Sequence, residues 1–108
     1  MDKETEGQIR ELQILENTLQ SILMQKQALQ LELTEIENAA SELNKTKDDV
    51  YKIAGNIMIK AGKESLIKEI SQKKDLIALR LKTIESQEKS LGGEAEKLRK
   101  KVLSKIQK

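Results

Sequence analysis

The chain of 108 residues contains no cysteine, proline, histidine, tryptophan or phenylalanine, and its single aromatic residue is Tyr51. Each absence removes some chemistry. Without cysteine there are no disulfides, thiol nucleophiles or Cys-based zinc sites. Without histidine the usual general base near pH 7 and the commonest metal ligand are missing, and no nucleophile–His–acid triad can be built. A compact core of this size normally uses several aromatics, each burying roughly 150–250 Å². Here the core must come from Leu, Ile, Val, Met and Ala. Long apolar runs are absent too. The longest are a few residues, far short of the about 20 that span a bilayer, so no membrane partner is expected. Met1-Asp2-Lys3-Glu4 carries no apolar signal region, so the expected location is cytoplasmic.

What the chain does have is charge and helix formers. Asp, Glu, Lys and Arg make up 35% of it. With Leu, Ile and Gln abundant and no proline, this composition points to long helices. The charge is divided along the chain. Residues 1–49 hold 5 Lys/Arg against 11 Asp/Glu, and residues 50–108 hold 15 against 7. The halves therefore carry −6 and +8 within a net charge of +2. Arms of opposite sign attract when folded side by side.

Apolar residues then fall into a 3,4 repeat. Leu12, Leu15, Leu19, Ile22, Lys26, Leu29, Leu33, Ile36, Ala40 and Leu43 occupy successive seam positions, with Lys26 the one polar member. No Gly or Pro lies between Gly7 and Gly55, so a helix is expected over about 8–45. The polar run Asn44–Asp49 should end it. After Gly62, a candidate N-cap, the repeat returns as Ile67, Ile70, Lys74, Ile77, Leu81, Ile84, Glu88, Leu91, Ala95, Leu98 and Val102, which places a second helix at about 63–106. Gly92-Gly93 interrupts this pattern, as either a tolerated soft spot or a hinge. Opposing Leu43 to Ile67 keeps apolar layers facing each other along almost the whole antiparallel pair. Lys26 and Glu88 then sit about one layer apart. Either they pair across the seam, or Lys26 carries its ammonium out to water.

Between the arms the pattern changes. Val50–Ala54 and Ile57–Ala61 are rich in β-branched residues and flank Gly55-Asn56, a two-residue loop suited to a hairpin at about 50–61. Val50, Lys52, Ala54, Ile57, Ile59 and Ala61 share one face, and Tyr51, Ile53, Met58 and Lys60 the other. The expected fold is therefore mainly α, a single domain over 1–108 in which a long antiparallel two-helix coiled coil is joined by one β-hairpin. An isolated two-stranded hairpin is marginal in water and exposes two pairing edges. Val50, Tyr51, Ile53, Gly55, Asn56, Ile57, Met58 and Ile59 are accordingly the candidate oligomerisation site.

A helix, then Asp49-Val50-Tyr51-Lys52-Ile53-Ala54-Gly55-Asn56-Ile57-Met58-Ile59-Lys60, then a second helix of similar length resembles the β subunits of archaeal prefoldin, over the whole chain. The single hairpin resembles the β class, since the α class carries two. The resemblance implies a hetero-hexamer of two α and four β subunits, with hairpins forming β-barrels and six coiled coils hanging from them. It also implies an ATP-independent holdase that captures non-native polypeptides and delivers them to a group II chaperonin. Gly92-Gly93 departs from an uninterrupted second helix.

Two features of the residues agree. Gly62-Lys63 is like the end of a phosphate-binding loop, but Ile57 stands where that motif needs Gly and Glu64 where it needs Ser or Thr. No cofactor, metal-binding or catalytic residue is expected. At the open end of the helix pair, Ile9, Ile14, Leu103 and Ile106 lie off the seam beside the seam residues Leu12, Leu15, Leu98 and Val102. These eight are the candidate client-binding tip. The basic stretch Lys97, Arg99, Lys100, Lys101, Lys105 and Lys108 answers the acidic first arm, or else contacts an acidic partner. Alternative readings are a nucleic-acid-binding coiled-coil arm and a plain structural coiled coil. The lack of stacking aromatics and the acidic first arm argue against nucleic acid.

Overall fold

Asp2 starts the first helix. In a computed structural model that describes residues 2–107, its carboxylate Oδ1 accepts the Thr5 backbone N–H at 2.7 Å, and its carbonyl accepts the Glu6 N–H at 3.1 Å. This is N-capping, in which a side-chain oxygen satisfies a donor left over by the first turn. Thr5 holds the Asp2 carboxyl below the usual carboxylate range, first through its hydroxyl and then through its amide. Helix α1 therefore spans Lys3–Lys45, so the expected start near Gln8 is too late by more than a turn. Gly7 is absorbed in the helix interior.

The helix ends where the polar run begins. Thr46 N–H reaches back to the Glu42 carbonyl at 3.0 Å, and the Thr46 hydroxyl accepts the Asp48 N–H at 3.3 Å. Strands β1 (Val50–Ala54) and β2 (Ile57–Ala61) follow. They pair antiparallel from Val50 opposite Ala61 to Ala54 opposite Ile57. Gly55 has φ of 62°, and no other described residue has positive φ. Positive φ at the first central residue alone is the type II′ pattern, which Gly there permits at no steric cost.

Helix α2 spans Lys63–Ile106. The Gly62 carbonyl accepts the Leu66 N–H at 3.0 Å, which makes Gly62 the N-cap position. The helix runs through Gly92-Gly93 without a break, so the pair does not interrupt it. A Cβ added at either glycine would meet nothing within 4 Å.

The residues group into two units, Met1–Ala28 with Lys82–Lys108, and Leu29–Leu81. In the first, Glu4 pairs with Lys105, Glu16 with Arg99 and Lys26 with Glu88. Numbers that rise along α1 as they fall along α2 define antiparallel packing. In the second, Ala40 and Leu43 line one hollow with Ile67 and Ile70, and Lys63 Nζ donates to the Thr46 carbonyl at 2.8 Å. The fold is thus mainly α, an antiparallel two-helix coiled coil joined by a β-hairpin.

The core is the seam. Ile22, Leu43, Ile77, Ala95 and Val102 are buried, and the other seam positions are half-buried except Lys74, which is exposed. Lys74 leaves the seam because its long stem lets the ammonium stay in water. The seam also reaches further than the apolar pattern shows. Thr5 is buried at 2% exposure, and Gln8 is half-buried with its Oε1 sequestered from solvent. Thr5, Gln8 and Leu12 continue the 3,4 spacing, but two polar residue types conceal it.

Candidate functional site

The hairpin stands out by what it fails to bury. Every residue from Tyr51 to Lys60 is exposed. Tyr51, Ile53, Ile57, Met58 and Ile59 lie between 49 and 71% exposed. The residues on both faces are open, and because the sheet has two strands each strand also keeps one unpaired edge. Apolar faces and free edges are two separate demands for another chain.

The hairpin is nevertheless tied to its own helices. Lys52 Nζ donates to Glu69 Oε1 at 2.7 Å, and Lys73 approaches the same oxygen at 3.9 Å. The hydrogen bond from Lys52 is the main reason the Glu69 carboxyl lies below its ordinary range. Lys60 pairs with Asp49 across the hairpin base at 3.4 Å. Beside these contacts is an open hollow of about 580 Å³, lined by Leu43, Val50, Tyr51, Ile53, Leu66 and Ile70 among others. Its lining is about equally polar and apolar, with Glu42, Thr46, Asp49, Lys52, Glu69 and Lys73 beside the apolar residues.

The open end of the helix pair divides the eight tip residues. Ile14, Leu103 and Ile106 are exposed, Ile14 at 65%. Ile9, Leu12, Leu15 and Leu98 are half-buried. Val102 is buried at 6%, so it holds the seam together and offers a partner nothing in this conformation. The exposed apolar residues Leu23, Met24, Leu31, Leu76 and Leu79 were not anticipated. They sit outside the 3,4 repeat, and a search for seam positions passes over them.

Three ion pairs join the arms in this part of the chain. Lys26 Nζ donates to Glu88 Oε1 at 3.1 Å with both side chains partly buried, so of the two readings the pairing is the one found. Arg99 donates to Glu16 at 3.1 Å and to Glu96 at 2.6 Å. The bond to Glu16 leads the causes that raise its pKa above the ordinary arginine value. Lys105 pairs with Glu4 at 3.4 Å. The basic stretch thus answers the acidic arm through Arg99 and Lys105. Lys97, Lys100 and Lys101 face solvent, and Lys108 lies outside the described residues. No helix among the described residues is long and apolar enough to cross a membrane. Among them, no group of His, Cys, Asp or Glu side chains is arranged to hold a metal ion.

The chain is thus a coiled coil that buries its own seam and leaves the apolar residues of its hairpin exposed. Comparison with known proteins gives the family. A family model described as prefoldin subunit matches residues 6–108. The prefoldin subunit beta of Archaeoglobus fulgidus is 39% identical over 85 residues, covering 77% of this chain and 73% of the relative. That of Saccharolobus islandicus is 35% identical over 101 residues, covering 92% and 80%. The crystal structure of the prefoldin beta subunit from Thermococcus strain KS-1 superposes with a TM-score of 0.89 at 30% identity, over 99% of this chain and 96% of the other. The chain belongs to the prefoldin subunit family, and the relatives named above are archaeal beta subunits. The family is one of non-enzymatic chaperones, and membership implies a chaperone role and assembly with alpha-type subunits.

Proposed function

We propose that this chain is the β-type subunit of a cytoplasmic, ATP-independent holdase. Four copies join two α-type subunits through their hairpins. The open ends of the coils capture non-native polypeptides, and the loaded complex passes them to a group II chaperonin. The observation that carries the assembly half is the hairpin, whose apolar residues are exposed on both faces beside two free edges. Ile14, Leu103 and Ile106 support the capture half, since they are apolar, exposed and near the coil end. Several weak tips acting at once give avidity without any deep pocket.

The test is to mix the chain with an α-type subunit and measure mass by light scattering, then aggregation of a refolding client without nucleotide. A hexamer that suppresses aggregation is the expected result. Replacing Ile14, Leu103 and Ile106 together by Gln should weaken suppression and leave the mass unchanged. Undiminished suppression would remove the tip assignment, and client aggregation unaffected by the wild-type complex would remove the holdase itself.

A further inference from the structure

Packing does not fix the angle at which the hairpin meets the coil, because every residue from Tyr51 to Lys60 is exposed. Two contacts pin its neck. Lys63 Nζ donates to the Thr46 carbonyl at 2.8 Å, and Lys60 pairs with Asp49 at 3.4 Å. Both lie where the strands meet the helices, and a joint pinned at its pivot can still swing. One side chain reaches past the pivot. Lys52, in the middle of β1, donates to Glu69 Oε1 at 2.7 Å, and Glu69 lies in the second turn of α2. The pair stands beside the hollow of about 580 Å³ that separates Val50, Tyr51 and Ile53 of the hairpin from Ala39, Leu43 and Leu66 of the helices. That space leaves the hairpin room to tilt.

Glu69 also has a second partner. Lys73, one turn further along α2, approaches the same oxygen at 3.9 Å. Glu four residues before Lys on one helix is the favourable order for such a pair. Lys73 is 61% exposed, so its ammonium can turn in towards the carboxylate or out to water. When Lys52 leaves, Lys73 takes over Glu69, and the departure strands no charge. The Lys52–Glu69 pair is itself open to solvent on both sides. An exposed pair of this kind shifts an equilibrium only about two- to fivefold, which is enough to bias a joint and too little to weld it.

We propose that Lys52, Glu69 and Lys73 form a latch that sets the angle between the hairpin and the coil. Lys52 on Glu69 holds the hairpin, and Lys73 on Glu69 lets it go. All three are positioning residues, since they act through the hairpin and touch no partner themselves. Once other subunits hold the hairpin, the same angle becomes the direction in which the adjoining coil leaves the assembly. The latch therefore tunes how the coils are spaced. That last consequence rests on the proposed assembly through the hairpin, whereas the latch itself belongs to the single chain.

The lack of cysteine makes the test direct, because introduced cysteines are the only thiols in the chain. Asn56→Cys at the turn and Gln72→Cys on α2 are both at exposed positions. Spin labels there report the hairpin–helix distance in the isolated full chain by pulsed electron paramagnetic resonance. Lys52→Gln and Glu69→Gln should each broaden the distance distribution about twofold. Lys73→Gln should narrow it, since Lys52 then has no rival for Glu69. An ion-pair cluster that only adds stability would give no such narrowing. Lys52→Glu with Glu69→Lys should restore the wild-type width. A width unaltered by Lys52→Gln, or not narrowed by Lys73→Gln, overturns the latch. In the complex with an α-type subunit, labels at Gln30→Cys on the β-type copies should spread more widely with Lys52→Gln, at unchanged mass. An unchanged spread at unchanged mass overturns the effect on coil spacing. Failure of the unsubstituted chain to form any complex overturns the assembly reading and the coil spacing with it, while the isolated-chain widths still decide the latch.

Discussion

The hairpin and the seam are built from nearly the same residues and meet opposite fates. Eight of the ten strand residues are apolar, yet none is buried. Eighteen of the 21 seam positions are apolar, and all of these are buried or half-buried. The difference is where the partner comes from. A seam on α1 finds its complement on α2, so the coil is stabilised within one chain. Two strands have no second layer to pack on, and their apolar surface is stabilised only when another chain covers it. If assembly runs through the hairpin as proposed, fold stability and assembly rest on separate sets of residues, and each set can be broken alone.

The largest effect should come from the hairpin. Ile57→Lys with Ile59→Lys puts two charges on one exposed face, and assembly with an α-type subunit should fall by more than about 100-fold, since burying an unpaired charge costs several kcal/mol. Far-ultraviolet circular dichroism of the isolated chain should stay helical, because both residues are exposed on the hairpin. Light scattering that still showed the full complex would mean the hairpin is not the joint. A chain that lost its helices would mean the two sets are not separable.

The seam should respond in the reverse sense. Ile77 is 3% exposed, and Ile77→Ala should cost about 2–5 kcal/mol in urea unfolding of the isolated chain. Ile53 is 71% exposed, and Ile53→Ala should change the same measurement by less than about 0.5 kcal/mol. Similar losses at both sites would show that the hairpin packs on its own chain after all.

How much of this was legible in the sequence follows from the same contrast. The seam is a periodic property, and periodicity survives without coordinates, which is why its 3,4 spacing marks the residues that turn out to be covered. The strand pairing was legible because a two-residue Gly-Asn loop leaves one register. Single-residue events were harder to read. Asp2 as a cap depends on one hydrogen bond, which moves the helix start back to Lys3. Thr5 and Gln8 carry the seam onward with polar side chains that no apolar count detects. Lys74 has the right spacing and still faces water, because spacing gives an angle on the helix and not the reach of the side chain.

Gly92-Gly93 sharpens the comparison within the coil. The pair is helical, has no positive φ and leaves open space where side chains would be. Neither packing nor backbone geometry requires glycine there. Gly92→Ala and Gly93→Ala should each stabilise the isolated chain by about 1 kcal/mol in urea unfolding. Hydrogen exchange should slow mainly at residues 88–98, around the substitutions. Destabilisation by either change would mean that the helix bends at this point in a way alanine resists.

The smallest effect should be electrostatic and local to the hairpin base. Glu69 faces Lys52 and Lys73, and the hydrogen bond from Lys52 leads the causes that lower its pKa. A carboxyl with a depressed folded pKa contributes stability above its unfolded value, about 4.3, and loses it as pH falls through the folded value. Acidification below about pH 4 should therefore release Lys52 from Glu69 and speed amide exchange in β1, while apolar seam residues such as Leu33 and Ile77 have no proton to gain. Glu69→Gln should remove that pH dependence and leave the seam amides as they were. Equal acid sensitivity in β1 and in the seam would mean that protonation loosens the coil first and the hairpin only follows.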